Sequence, residues 1–278
     1  MIKKSILLSA LLVFCYSLII RKGNDSLITN QYQYQTNLIK LNKYLFANTT
    51  PKSVILGSSL SARIENDTTI AAYNLALAGM SVSDGLNIIN LHSQLPKAIF
   101  IEINFLTRPE NHQIAEVLNS KITLQLKEYF PILREENQPV GLLKGALLKI
   151  KPSTTLPQAH EKINTTLFDK LLADQIAFYS NADTILIDKS VLKLKTIVKT
   201  LEAKGTKVYF FEVPVNKALM HLPYASKIRR EIKENFPENI FIPYNSEDYT
   251  TVDGLHLDII DAAEYSKYFN NRIKELIL

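Results

Sequence analysis

The sequence predicts an α/β protein in three layers, a five-stranded parallel sheet between helices, with an apolar helix ahead of it. Three observations carry this. Short apolar runs recur at residues 53–57, 72–77, 98–103, 207–213 and 239–243. Helical patterns separate most of them, and strands that alternate with helices pair in parallel through crossovers. Residues 5–20 carry no charge and lie between Lys3-Lys4 and Arg21-Lys22.

Composition sets the bounds. A chain of 278 residues fits one large domain or two small ones. A hydrophobic content of 46% and a charged content of 21% are those of a globular protein. The net charge of +5 comes from lysines scattered along helices, so these read as solvated faces and no nucleic-acid partner is expected. The single cysteine, Cys15, excludes an intramolecular disulfide. No Cys/His cluster has zinc spacing, and neither metal nor cofactor is expected.

In chain order, residues 1–22 read as a signal-anchor. As a helix the uncharged run spans ~24 Å against a ~30 Å hydrocarbon core, and the flanking basic side chains can snorkel to cover the difference. A cleaved signal, giving a secreted protein, is the alternative; no Ala-x-Ala site follows the run. Residues 23–50 form a polar stalk in which Leu38, Leu41 and Leu45 keep helical spacing. Asn-x-Ser/Thr sequons stand at Asn24, Asn48, Asn66 and Asn164.

The globular part is residues 51–278. Its first strand enters the small-residue turn Gly57-Ser58-Ser59, and its second is followed by Ala78-Gly79. Ser81 and Asp84 have capping-box spacing and open a helix that Pro96 ends. The third strand runs into Asn104. Residues 106–182 then break the alternation, with five prolines and amphipathic segments at 114–129 and 160–179. They read as a helical insertion, either extra scaffold or a lid or docking surface beside the site. Helices at 185–204, 224–236 and 259–277 complete a flavodoxin-like order with the fourth and fifth strands.

The chemistry gathers at the two ends of this domain. Asp253 and His256 sit three apart in a loop before the last helix. A catalytic imidazole needs a carboxylate to fix its tautomer and stabilise its protonated form, and one loop can supply both. A serine after the first strand lies at a strand's carboxyl end, where open α/β sheets place ligands. The plainer readings are a helix-capping Ser59, a packed loop histidine and an Asx-turn Asp253. Asp258 is a rival carboxylate or a helix cap, and Ser58 and Ser61 read as turn or capping residues.

These blocks resemble the SGNH (GDSL) hydrolase superfamily over roughly residues 51–278. The family's Gly-Asp-Ser block reads Gly57-Ser58-Ser59 here; its block-two glycine is Gly79, its block-three asparagine is Asn104, and Asp-x-x-His matches Asp253 and His256. Ser58 stands where the family has Asp, Glu102 replaces the glycine of Gly-x-Asn-Asp, and Phe105 replaces its final Asp. The Gly-Ser-Ser form is similar to membrane-anchored members that handle acyl groups on cell-envelope polymers.

The resemblance implies an extracytoplasmic serine esterase or O-acyltransferase acting on acyl esters, acetyl above all, of a carbohydrate polymer. Ser59 would be the nucleophile, His256 the base and Asp253 its orienting acid. The Ser59 and Gly79 N–H groups and the Asn104 amide would form the oxyanion hole. Partners would be the acylated polymer, the membrane through residues 5–20 and a membrane-bound acyl-donor protein. The departures at Ser58 and Glu102 keep a second reading, a catalytically inactive scaffold of an envelope polysaccharide system. Glu102 shares a strand face with Asn104, so it should turn from the oxyanion or pair with a base such as Arg108. Arg108 itself reads as a surface residue or a clamp for a substrate anion.

Overall fold

The computed structural model describes residues 2–21, 32–65, 72–92, 94–150, 165–244 and 249–277. The sequons at Asn24, Asn66 and Asn164 and the first part of the stalk lie outside these residues. The chain divides into two compact units, one drawn from residues 1–47 and 112–155, the other from residues 48–111 and 156–278. Residues 106–182, expected as one helical insertion, are helical over most of their described length and contribute to both units.

The first unit is built from helices. It contains α1 (Ile2–Arg21), α2 (Gln33–Leu45), α4 (His112–Asn119), α5 (Lys121–Tyr129) and α6 (Pro139–Ile150). Residues 2–20 are long and apolar enough to cross a membrane, and that window has no buried residue. The segment expected as one amphipathic stretch, residues 114–129, is broken at Ser120 into α4 and α5. Leu38 and Leu41 of α2 are buried, as their spacing predicts, and so are Asn37 and Asn42 beside them. Asn42 donates to the carboxylates of Glu135 and Glu136 at 2.6 and 3.1 Å. Lys127, buried on α5, reaches both oxygens of Glu135 at 2.8 Å. On α1, the Tyr16 hydroxyl donates to the carbonyl of Asn137 at 2.6 Å.

The second unit holds the sheet. Its strands are β1 (Ser53–Leu56), β2 (Ala72–Asn74), β3 (Ala98–Glu102), β4 (Lys207–Phe211) and β5 (Ile240–Ile242). All pair in parallel in the order β2-β1-β3-β4-β5, the flavodoxin-like arrangement. The helices are α3 (Val82–Leu91), α7 (Thr165–Ser180), α8 (Thr184–Ala203), α9 (Lys217–Met220), α10 (Pro223–Asn235) and α11 (Ile259–Ile277). Ser81 and Asp84 close the expected capping box on α3. That helix stops at His92, short of Pro96.

Register assigns the faces. Phe100 pairs with Tyr209, and Glu102 with Phe211. Phe100 and Phe211 both pack against Phe269 of α11, at ring-centroid distances of 6.2 and 4.3 Å. Ile101 pairs with Phe210 and with Leu56 on the opposite face. There Phe210 meets Phe236, just past α10, and Gly85 of α3 lies against Leu56. The sheet is therefore covered on both sides, with α11 alone on one face among these contacts. Aromatic pairs of this kind add roughly 0.5–1.5 kcal/mol each beyond their area burial.

Candidate active site

In a 2-1-3-4-5 sheet the strand order reverses between β1 and β3, and the crevice outside their carboxyl ends is the ligand site. Ser59 leaves β1 at that edge and Asn104 leaves β3 beside it. The next strand, β2, runs alongside β1, with Leu77 N–H bonded to Gly57 O at 3.2 Å, so Gly79 emerges on the other side. Sheet topology alone thus brings three segments far apart in sequence to one edge.

The loop before α11 carries the remaining groups. Thr251 and Leu257 form an isolated antiparallel bridge, and Val252 N–H donates to His256 O at 2.8 Å, closing a tight turn. Gly254 sits at that turn with φ +88°. Arg63 holds the loop by donating to Leu257 O at 2.6 Å. Asp258 accepts from Ile260 N and Asp261 N at 3.0 and 2.9 Å, so it caps α11 and does not compete for the imidazole.

The expected triad residues meet in one relay. His256 Nε2 lies 2.8 Å from Ser59 Oγ, and Nδ1 lies 2.7 Å from Asp253 Oδ2. Asp253 Oδ1 accepts the backbone N–H groups of Leu255 and His256 at 3.0 and 2.8 Å. Asp253 is therefore both an Asx-turn residue and the imidazole's partner. Partial burial pushes its carboxyl up, but the His256 side chain and the two backbone donors outweigh this and hold it down at about 2. An ionised Asp253 can only accept, so Nδ1 carries the ring proton and Nε2 is left to accept from the Ser59 hydroxyl. Ser59 is no helix cap: the short 3₁₀ turn Ser61–Arg63 begins after Leu60.

Of the two options the sequence left for Glu102, the Arg108 pairing is not the one taken. Glu102 is 1% exposed, and its carboxylate is bound by the serine turn. It accepts from Ser58 N at 2.9 Å, Ser58 Oγ at 2.6 Å, Ser61 N at 3.1 Å and the Ser61 hydroxyl. Gly57 makes this approach possible, since a Cβ there would lie 2.4 Å from Glu102 Oε2. Arg108 instead stacks its guanidinium on Phe105, 4.7 Å from the ring centroid, and donates to Met80 O.

The same clamp sorts the turn's amides. Ser58 N and Ser61 N go to Glu102, Leu60 N to Ser58 Oγ and Ala62 N to Ser58 O. Among the described residues, the N–H groups of Ser59 and Gly79 have no acceptor. Gly79 has φ +76°, a left-handed backbone that favours glycine. The Asn104 amide is half engaged: Oδ1 accepts from Val213 N and Nδ2 donates one N–H to Val213 O, each at 2.9 Å. That exchange fixes the side-chain plane and leaves a second N–H on Nδ2.

No cluster of three or more His, Cys, Asp or Glu side chains suited to a metal occurs among the described residues. Sequence reasoning missed the Glu102–Ser58–Ser61 cluster, although a glutamate ending a wholly apolar strand was a signal that a buried partner had to exist.

The chain matches no known protein-family model and no curated protein sequence. Among solved structures it is similar to a protein from Streptococcus pneumonia provisionally described as a platelet activating factor. The likeness covers 95% of this chain and 99% of that one, at 14% identity and a TM-score of 0.43.

Proposed function

We propose that the chain is an SGNH-type serine esterase or O-acyltransferase. It acts outside the cytoplasm on acyl esters, acetyl above all, of a carbohydrate polymer. The observation that carries the chemistry is the Ser59–His256–Asp253 relay at the carboxyl edge of the sheet, beside two unclaimed backbone donors. The site and substrate class follow the family resemblance; the extracytoplasmic placement follows α1.

Ser59 Oγ attacks the ester carbonyl as His256 Nε2 takes its proton. The carbonyl oxygen gains the electron pair and is held by the N–H groups of Ser59 and Gly79 and the second Asn104 N–H. Collapse breaks the bond to the alcohol, which leaves with the proton from His256. Water or a sugar hydroxyl then gives its proton to His256 and attacks acyl-Ser59; the acyl–Oγ bond breaks, His256 returns the proton to Ser59 Oγ, and the acid or a new ester leaves. Asp253 stays ionised throughout and stabilises the imidazolium.

The test is acyl release from 4-nitrophenyl acetate and from an acetylated glycan, with and without a second glycan as acceptor. Activity in wild type that Ser59→Ala removes is the expected outcome. A folded wild type that turns over neither substrate, with or without acceptor, counts against the proposal.

A further inference from the structure

Helices α5 and α6 face the wrong way for a water-soluble unit. On α5 and the turn after it, Ile122, Leu126, Tyr129 and Leu133 follow one another at helical spacing and point outward, Ile122 at 73% and Tyr129 at 69% exposure. The opposite side of α5 buries Lys127 on Glu135. On α6, Val140, Leu143 and Leu147 form a second outward stripe, Val140 at 65% exposure, while among its described side chains the buried positions are Gly141 and Gly145. The unit buries Leu38, Leu41 and Tyr44 of α2 with Ile114 and Leu118 of α4, whereas α5 and α6 turn charge and glycine inward and keep their large apolar side chains at the surface. Water would drive the reverse arrangement, and contiguous exposed apolar surface marks an interaction site.

We infer that α5 and α6 lie on the lipid bilayer, their stripes among the headgroups and upper acyl chains. Helix α1 is long and apolar enough to span, and its Tyr16, near the carboxyl end, bonds to Asn137 between α5 and α6. The segment carrying both stripes is therefore tied to the end of the spanning helix. At 9 and 12 residues, α5 and α6 reach only ~14 and ~18 Å, too short to cross a ~30 Å core, so they lie along it. Tyr129 and Phe130 suit the interface, where aromatic side chains are enriched, and Lys121 and Lys144 can snorkel to phosphates. This contact is separate from the proposed esterase chemistry and would stand without it.

The chain has no tryptophan, so single introduced indoles report without background. The full chain is placed in phosphatidylglycerol/phosphatidylethanolamine nanodiscs with and without lipids brominated on their acyl chains. Leu126→Trp, Leu143→Trp and the aromatic-for-aromatic Tyr129→Trp should emit blue-shifted light that brominated lipid quenches strongly. Glu128→Trp, on the polar side of α5, should be quenched far less. Red-shifted, iodide-accessible emission at all three stripe positions would overturn the inference. So would blue-shifted emission that bromine does not quench, which would place a protein partner or a second copy on this surface.

Discussion

At the scale of the residue, Asp253 is held by a second interaction beside its bond to His256, the two backbone N–H groups of its own turn. Asp253→Asn keeps the turn-forming oxygen but favours the wrong imidazole tautomer; a loss of roughly 10⁴-fold in kcat with the fold intact is expected in steady-state assays. The same residue sets a pH signature. Its folded carboxyl lies at about 2 against an ordinary 3.8, so its stabilising contribution is complete above pH 3.8 and lost as pH falls toward 2. Thermal melts should show wild type more stable than Asp253→Asn at pH 5, with the gap shrinking by pH 2.5. A gap that widens in acid would contradict this assignment. Glu102 acts one layer below. Glu102→Ala strands the Ser58 and Ser61 N–H groups, each at roughly 1–3 kcal/mol, and urea unfolding should show a loss of that order. Glu102→Gln keeps an acceptor for both amides and should lose less.

At the scale of the element, the close approach of β1 to β3 depends on Gly57. A methyl there would lie 2.1 Å from Ser61 Oγ and 2.6 Å from Glu102 Cβ. Gly57→Ala should destabilise by about 1–3 kcal/mol through overpacking and slow acylation of Ser59, measurable by denaturation and by stopped-flow acyl transfer. Loss of stability with an unchanged acylation rate would show that the turn is not positioned from below. The five strands were legible because buried parallel strands are continuous apolar runs bounded by turn residues. The Asp253 and His256 turn was legible because its members are close in sequence. The Glu102 clamp was not, because Ser58 and Ser61 reach it only through the β1–β3 register. The outward stripes of α5 and α6 were also hidden: periodicity shows that a helix has an apolar face, and only packing shows which way the face points.

At the scale of the whole molecule, one unit carries a spanning-length helix and the other carries the relay. Fusion of alkaline phosphatase after residue 278 should be active in an exported host, and N-terminal sequencing of the membrane fraction should begin at or near Met1. A soluble mature chain starting after residue 20 would remove the anchor. The central claim, that this chain forms an acyl-enzyme on Ser59, is tested most directly by a fluorophosphonate probe on the full-length protein in its membrane, followed by peptide mass spectrometry. The expected result is an adduct on Ser59, lost in Ser59→Ala and His256→Ala and retained in Ser58→Ala, since triad members act as a unit. An adduct on Ser58, or no labelled serine in a folded protein, would contradict it.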